Sequence, residues 1–210
     1  MASKQRRERE RQGLRQNILT AALEIAAAEG GWQNVTIRKI ADRIEYSSPT
    51  IYEHFENKDA ILLELMYQGF SRLYDELHAA RTAAHDPEQA MLDMVMAYWN
   101  FSFGSPELYQ VMHGLDGVPF HDLDLAAALE QKAEVAERAF DEVVLALKAL
   151  VDQRGAQIDD LAAAGEIIWG AIHGIIALTM AGRIEDGREH GARLAQQTMR
   201  YLLVAWQAKQ

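Results

Sequence analysis

Between Ile44 and Lys58 the chain concentrates small hydroxyls and rings: Ser47, Ser48, Thr50, Tyr52 and His54, with Pro49 among them. Hydroxyls, a phenol and an imidazole on one to two helical turns can hydrogen-bond base edges and phosphate oxygens. A threonine methyl can also meet the methyl of thymine. Lys58 adds a permanent cation suited to a phosphate, and Thr36 adds a further hydroxyl upstream. Between them stand Ile40, Ala41, Ile44, Ile51 and Phe55, apolar residues that can fill the space behind two crossing helices. A short polar-faced helix over such a core fits a DNA major groove. On spacing alone a helical hairpin that merely packs is the alternative.

Catalytic chemistry finds less support. The chain has no cysteine, which removes thiol nucleophiles, thiolate metal sites and disulfides. His113, Asp116, His121, Asp122 and Asp124 cluster in sequence, but their spacing follows no regular metal motif. No cofactor and no metal is expected. His78, His85 and His190 read as surface residues. No G-x-S-x-G, P-loop, G-x-G-x-x-G or H-E-x-x-H is present, so no enzymatic activity is expected. The rival class is a small all-helical enzyme, or a hydrophobic-ligand-binding protein with no role on DNA.

The elements that position these residues are helices. With 4 prolines and 14 glycines in 210 residues rich in Ala, Leu, Glu and Gln, a many-turned β fold is disfavoured. Residues 1–10 read as a mobile polar arm. A helix with Leu14, Ile18, Ala22 and Ile25 on one side follows and stops at Gly30-Gly31. Thr36 caps a second helix. Ser48 caps a third, with Pro49 in its first turn, reaching about Phe55. A long helix covers about 59–82. Further helices are expected at about 87–103, 106–113, 122–154, 159–181 and 186–208, with a loop at 114–122. That makes nine in an all-α chain.

Charge divides the chain. Residues 1–60 carry 10 Lys+Arg against 9 Asp+Glu, and residues 61–210 carry 11 against 22. Six basic residues fall in the first fifteen, so a polyanion is expected to approach only the N-terminal end. With no uninterrupted 18-residue apolar run and no apolar leader, a cytoplasmic location and no membrane partner are expected.

Residues 35–44, with Thr36, Ile40 and Ala41, together with Thr50-Ile51-Tyr52-Glu53-His54-Phe55 and Asn57-Lys58-Asp59 before Ile61-Leu62, resemble the N-terminal signature of the TetR/AcrR family of transcriptional repressors. The resemblance covers about residues 11–65. Trp169 with His173-Gly174 resembles one C-terminal subclass. It implies a nine-helix TetR-like fold: a helix-turn-helix head over residues 1–58, and a body over 59–210 that binds an effector and forms a homodimer. The partner it implies is a palindromic double-stranded DNA operator. Effector binding would swing the long helix and release the DNA.

The resemblance also implies roles for single residues. Thr36 contacts phosphate, and Ser47, Ser48, Pro49 and Thr50 lie at the recognition helix tip. Tyr52 places its hydroxyl on a phosphate while its ring packs inward. His54 faces the same strand or caps the head's core. Lys58 contacts phosphate. Glu45 departs from the pattern, standing where a small residue or glycine is usual. A positive φ there would cost Glu roughly 1 kcal/mol relative to Gly, and the turn is expected instead to take a conformation that Glu tolerates.

For the body, residues 91–121 are dense in aromatics and methionine, matching either an ordinary core or an adaptable apolar cavity. Met94, Tyr98, Tyr109, Met112, His113, Trp169 and His173 are the candidate effector-binding residues. No Lys or Arg lies between Arg81 and Lys132, which favours a small hydrophobic effector that is neutral or cationic. Residues 159–181 are apolar nearly all round, with Gly170, Gly174, Ala177 and Ala181 forming a ridge that a second helix can approach closely. Leu194, Thr198, Tyr201, Leu202 and Ala205 stripe the last helix. Two such helices from each subunit would form a four-helix dimer interface.

Overall fold

The computed structural model describes residues 2–114 and 133–207. The expected start of the 122–154 helix and most of the 114–122 loop, with Asp116, Phe120, His121, Asp122 and Asp124, lie outside the described residues. Nine α-helices are found among the described residues, as expected from sequence. They fall into two compact units: Met1–Gly69 with the segment from Pro106, and Phe70–Ser105 with the segment from Ala133.

In the first unit α1 spans Ala2–Glu29. The arm expected at residues 1–10 is instead helical from Ala2. Its Lys, Gln, Arg and Glu are good helix formers, and Arg6 Nε pairs with Glu10 Oε1 at 2.8 Å one turn away. Further along, α1 buries Ile18, Leu19, Ala22 and Ile25. Gly30 ends it at φ 75°, in the left-handed region that glycine adopts without steric cost. A single 3-10 turn, Trp32–Asn34, leads to α2 (Ile37–Arg43). Then come α3 (Ser48–Tyr52), the first turns of α4 (Lys58–Ala83) and α6 (Pro106–His113).

Packing, not chain order, assigns α6 to this unit. Trp32 Nε1 donates to the Glu107 carbonyl at 3.0 Å. A Cβ at Gly69 would lie 2.4 Å from Met112 Sδ, so the absent side chain permits that approach. The boundary expected at 58/59 thus falls within the first unit.

The second unit holds the later turns of α4 with α5 (Pro87–Gly104), α7 (Ala133–Arg154), α8 (Leu161–Met180) and α9 (Gly187–Trp206). Local chemistry sets the starts. Asp86 caps α5 by accepting from Gln89 N, and Asp160 caps α8 by accepting from Ala163 N. Gly155 (φ 67°) and Gly182 (φ 65°) follow the ends of α7 and α8. α9 packs on α5 and α8. A Cβ at Gly191 would meet Thr179 Oγ1 at 2.4 Å and Trp99 Cη2 at 2.6 Å, so the crossing needs glycine. Inside this unit the buried Glu142 carboxylate accepts from Arg81 Nε at 2.6 Å and lies 3.2 Å from His78 Nδ1. A buried carboxylate so paired avoids the large cost of an uncompensated charge.

α8 is long and apolar enough to cross a membrane by composition. Glu166 and His173 interrupt its apolar run. Here Ile168, Ile172 and Ile176 are buried within the unit.

Candidate nucleic-acid interface

The head is built on a close helix crossing. Ile40, Ala41, Ile51 and Phe55 are all buried, and α2 packs on both α1 and α3. Thr36 is the N-cap of α2, and its Oγ1 accepts from Lys39 N at 3.2 Å. The cap uses a lone pair and leaves the hydroxyl proton available to an outside acceptor. Salt bridges to α1 tie down the far side of α2: Arg43 Nη1 meets Glu24 Oε2 at 3.2 Å, and Lys39 Nζ meets the Glu29 carboxylate.

The recognition helix begins one residue earlier than expected. Ser47 is the N-cap, with Ser48 and Pro49 inside the first turn, and the helix ends at Tyr52 rather than Phe55. The Ser47 carbonyl accepts from Thr50 N at 3.0 Å. The two hydroxyls, Ser47 Oγ and Thr50 Oγ1, lie 2.9 Å apart. Ser47 and Pro49 are exposed, and Ser48 and Thr50 are half-buried.

Three expectations for single residues change. The Tyr52 ring does not pack inward: Tyr52 is 56% exposed, because Ile51 and Phe55 already occupy the inner face and the next residue points about 100° away. Its hydroxyl is free to reach a phosphate without the ring serving the core. Glu45 does adopt positive φ, at 61°, so the turn takes the conformation that glycine would favour. Glu45→Gly is therefore expected to raise stability by about 0.5–1 kcal/mol. Relief of the left-handed penalty is partly offset by the freer unfolded chain. Thermal melts of the two proteins check this. Lys58 is not a free cation either. Its Nζ donates to the Trp32 carbonyl at 2.6 Å, and burial holds its pKa below the usual lysine value. Two of its three donors remain for a phosphate.

His54 is half-buried against the head. Its Nδ1 is buried without a hydrogen-bond partner, and its pKa is lowered by burial and by the charges of Arg11 and Arg15. The imidazole is thus held neutral. Its carbonyl accepts from Arg15 Nη1 at 2.8 Å, and the Arg15 guanidinium lies 4.1 Å from the Phe55 ring centroid. Sequence reasoning passed over two exposed residues on the head. Tyr46, 49% exposed, precedes Ser47 in the turn, and Arg38 stands on the first turn of α2. Their signal was a bulky polar side chain next to a helix start with no apolar partner in register.

The candidate effector residues divide between the units. Tyr109, Met112 and His113 belong to the first, where the Tyr109 and His113 rings lie 4.5 Å apart. Met94, Tyr98, Trp169 and His173 belong to the second. Met94 and Tyr98 are buried there, whereas Trp169 is 48% exposed, 5.7 Å from the His173 ring. Burial lowers the His173 pKa. A cavity of about 280 Å³ in the second unit is lined by other residues, among them Leu150, Ala156, Leu203, Trp206 and Arg154.

The chain matches two family models. Residues 18–65 match that of bacterial regulatory proteins of the tetR family, and residues 91–202 match a tetracyclin repressor-like C-terminal domain. The chain belongs to the TetR family. Among curated relatives, the uncharacterized HTH-type transcriptional regulator YobS of Bacillus subtilis is 30% identical over 44% of this chain and 48% of its own length. The HTH-type transcriptional repressor KstR of Mycobacterium tuberculosis is 27% identical over 60% of this chain and 56% of its own. The chain thus spans about half the length of the curated relatives it matches. Solved structures share the fold at greater length. A Rhodococcus sp. RHA1 protein of unknown function superposes with TM-score 0.78 at 19% identity, covering 93% of this chain and 96% of its own. The transcriptional regulator FadR of Bacillus subtilis, solved with stearoyl-CoA, gives 0.72 at 19% identity, covering 90% and 97%.

Proposed function

We propose that this TetR-family chain is a DNA-binding transcriptional repressor, working as a homodimer on a palindromic operator and released by a small hydrophobic effector. The observation that carries this reading is the division within the head. Ile40, Ala41, Ile51 and Phe55 bind the helices together, while Thr36, Ser47 and Tyr52 are left exposed beside Ser48 and Thr50. An outward polar face of short side chains over a closed core is what base and phosphate contacts require. Electrophoretic retardation of the DNA flanking the chain's own gene tests it. Loss of retardation by competing operator, but not by random duplex, is the expected result. Absence of any retardation would favour a ligand-binding protein without a DNA role.

Thr50 reads bases in this proposal, with Ser47 Oγ orienting its hydroxyl. Thr50→Val keeps the methyl group and replaces the hydroxyl with a second methyl, so the preferred operator is expected to change by about 1–3 kcal/mol of discrimination at one base pair. Selection from random DNA checks it. The same motif from both proteins would make Thr50 a packing residue.

For the effector, we favour a neutral or cationic hydrophobic molecule. The acyl-coenzyme A held by FadR carries phosphates, whereas no Lys or Arg occurs here between Arg81 and Lys132, and Arg81 is already engaged by Glu142. Because Tyr98 is buried, Tyr98→Ala would perturb the core as well as any ligand. Tyr98→Phe keeps the ring. It is expected to weaken effector-induced release of DNA by about tenfold with the melting temperature nearly unchanged, the size of one lost hydrogen bond.

A further inference from the structure

The first four turns of α1 carry a row of cations that the helix-turn-helix does not use. Lys4, Arg7, Arg11 and Arg15 recur at intervals of three, four and four residues, which places them on one helix face. Lys4, Arg7 and Arg11 are exposed, and none makes an ion pair among the described residues. The other cations of this segment are engaged elsewhere. Arg6 pairs with Glu10, and Arg9 Nε lies 3.4 Å from the Gln5 carbonyl. Glu8 flanks the row at its edge and forms no ion pair with it. The row is anchored to the head at its C-terminal end, where Arg15 binds the His54 carbonyl, Glu64 and the Phe55 ring. Arg11 is near enough to His54 for its charge to oppose protonation of that imidazole. The cations therefore run outward from the segment that follows the recognition helix.

We propose that Lys4, Arg7 and Arg11 form a second DNA-binding element that grips phosphates flanking the operator half-site. The proposal rests on the DNA-binding reading above and extends the site beyond the helix-turn-helix. The physical case is one of cost and scale. Residues 4–13 bury no apolar surface, being exposed throughout, so core packing does not account for the extension. The stretch from Lys4 to Arg11 is about 10 Å long at 1.5 Å per residue. That is about the axial length occupied by three phosphates of one strand. Elsewhere the chain is strongly acidic, so this row is where a polyanion meets net positive charge.

The test uses the full chain and two duplexes carrying the motif recovered by selection from random DNA: one of about forty base pairs, and one trimmed to the motif. Lys4→Gln, Arg7→Gln and Arg11→Gln are combined, since glutamine keeps the helix propensity. On the long duplex the triple variant is expected to lower the slope of log affinity against log salt by about 2.7 units per subunit. The loss of affinity between 50 and 200 mM salt then shrinks by about 40-fold per subunit, with the selected motif unchanged. Trimming the duplex should weaken the parent and leave the triple variant nearly unaffected. The double variant Arg6→Gln with Arg9→Gln, on the other faces, should behave as the parent. An unchanged slope in the triple variant, or an equal change in the double variant, overturns the arm alone. Failure of the parent to bind either duplex overturns the DNA-binding reading and the arm with it.

Discussion

Gly174→Leu is expected to convert the proposed dimer to monomer while leaving its helicity intact. The ridge on α8 faces away from the core of its own unit, since a Cβ at Gly170 or Gly174 would meet no atom within 4 Å. Ile167 and Leu178, on the same outward side, are 56% and 51% exposed. On α9, Tyr201 and Val204 are 68% and 64% exposed, while Ala195, Met199 and Leu203 turn inward. Large apolar side chains left open on two adjacent helices mark a surface that another apolar surface covers. Glycines among them let a second helix approach closely. A leucine on this ridge costs nothing in an isolated chain, and in a two-fold dimer it is met twice. At about 1–3 kcal/mol of overpacking per copy, and two copies, the dimer dissociation constant rises by about 30- to 20,000-fold. Sedimentation equilibrium measures that shift directly. The proposed palindromic operator needs two heads, so retardation of that DNA should fall with it, and non-specific binding should persist. A dimer that survives with a lowered melting temperature would place the ridge against the subunit's own core.

What was legible in the sequence was what neighbouring residues decide. Gly30-Gly31, Thr36, Pro49, Pro87, Gly155 and Gly182 act within a turn or two, and each stands where a helix starts or stops. The head's core was legible for a related reason: Ile40, Ala41, Ile51 and Phe55 sit at spacings that leave few ways to bury them. Contacts distant in sequence were not legible. Nothing near Lys58 shows that its amine reaches the carbonyl of Trp32, 26 residues away. Nothing near Tyr109 and Met112 assigns them to the first unit rather than to the unit of Met94 and Tyr98. Of the seven candidate effector residues, three therefore fall in the first unit and four in the second. Composition shows that a region is apolar, but which apolar residues share a space depends on how helices stack. The positive φ at Glu45 escaped because a residue type reports a preference, and a turn held between two packed helices can override about a kilocalorie of it. The helical arm was a misreading of polarity, since a row of Lys, Arg, Gln and Glu lacks a core-facing period yet still favours helix.

Trp32 supports the second large expectation. It is fully buried, and its two polar groups both serve other segments of the first unit: the indole N–H holds the Glu107 carbonyl of α6, and its carbonyl holds Lys58 at the start of α4. It also lies in the short turn that delivers Thr36 to the N-terminus of α2. Trp32→Ala removes a large volume from a closed core, which costs about 3–5 kcal/mol. For a chain of this size that lowers the Tm by roughly 6–20 °C. Trp32→Phe separates the two contributions. The phenyl ring fills most of the space and keeps the main-chain carbonyl for Lys58, but it cannot donate to Glu107, so the expected loss is about 1–2 kcal/mol. Operator affinity should follow the same order, with Trp32→Ala far below the parent at 37 °C and Trp32→Phe close to it, because the head's helices depend on the turn that Trp32 anchors. Urea denaturation of the three proteins, read alongside retardation at two temperatures, decides the matter. If Trp32→Phe proves as unstable as Trp32→Ala, the bond to Glu107 holds α6 in place and the volume of the indole does not. If both remain near the parent, the turn is held by Lys58 and the glycine pair instead.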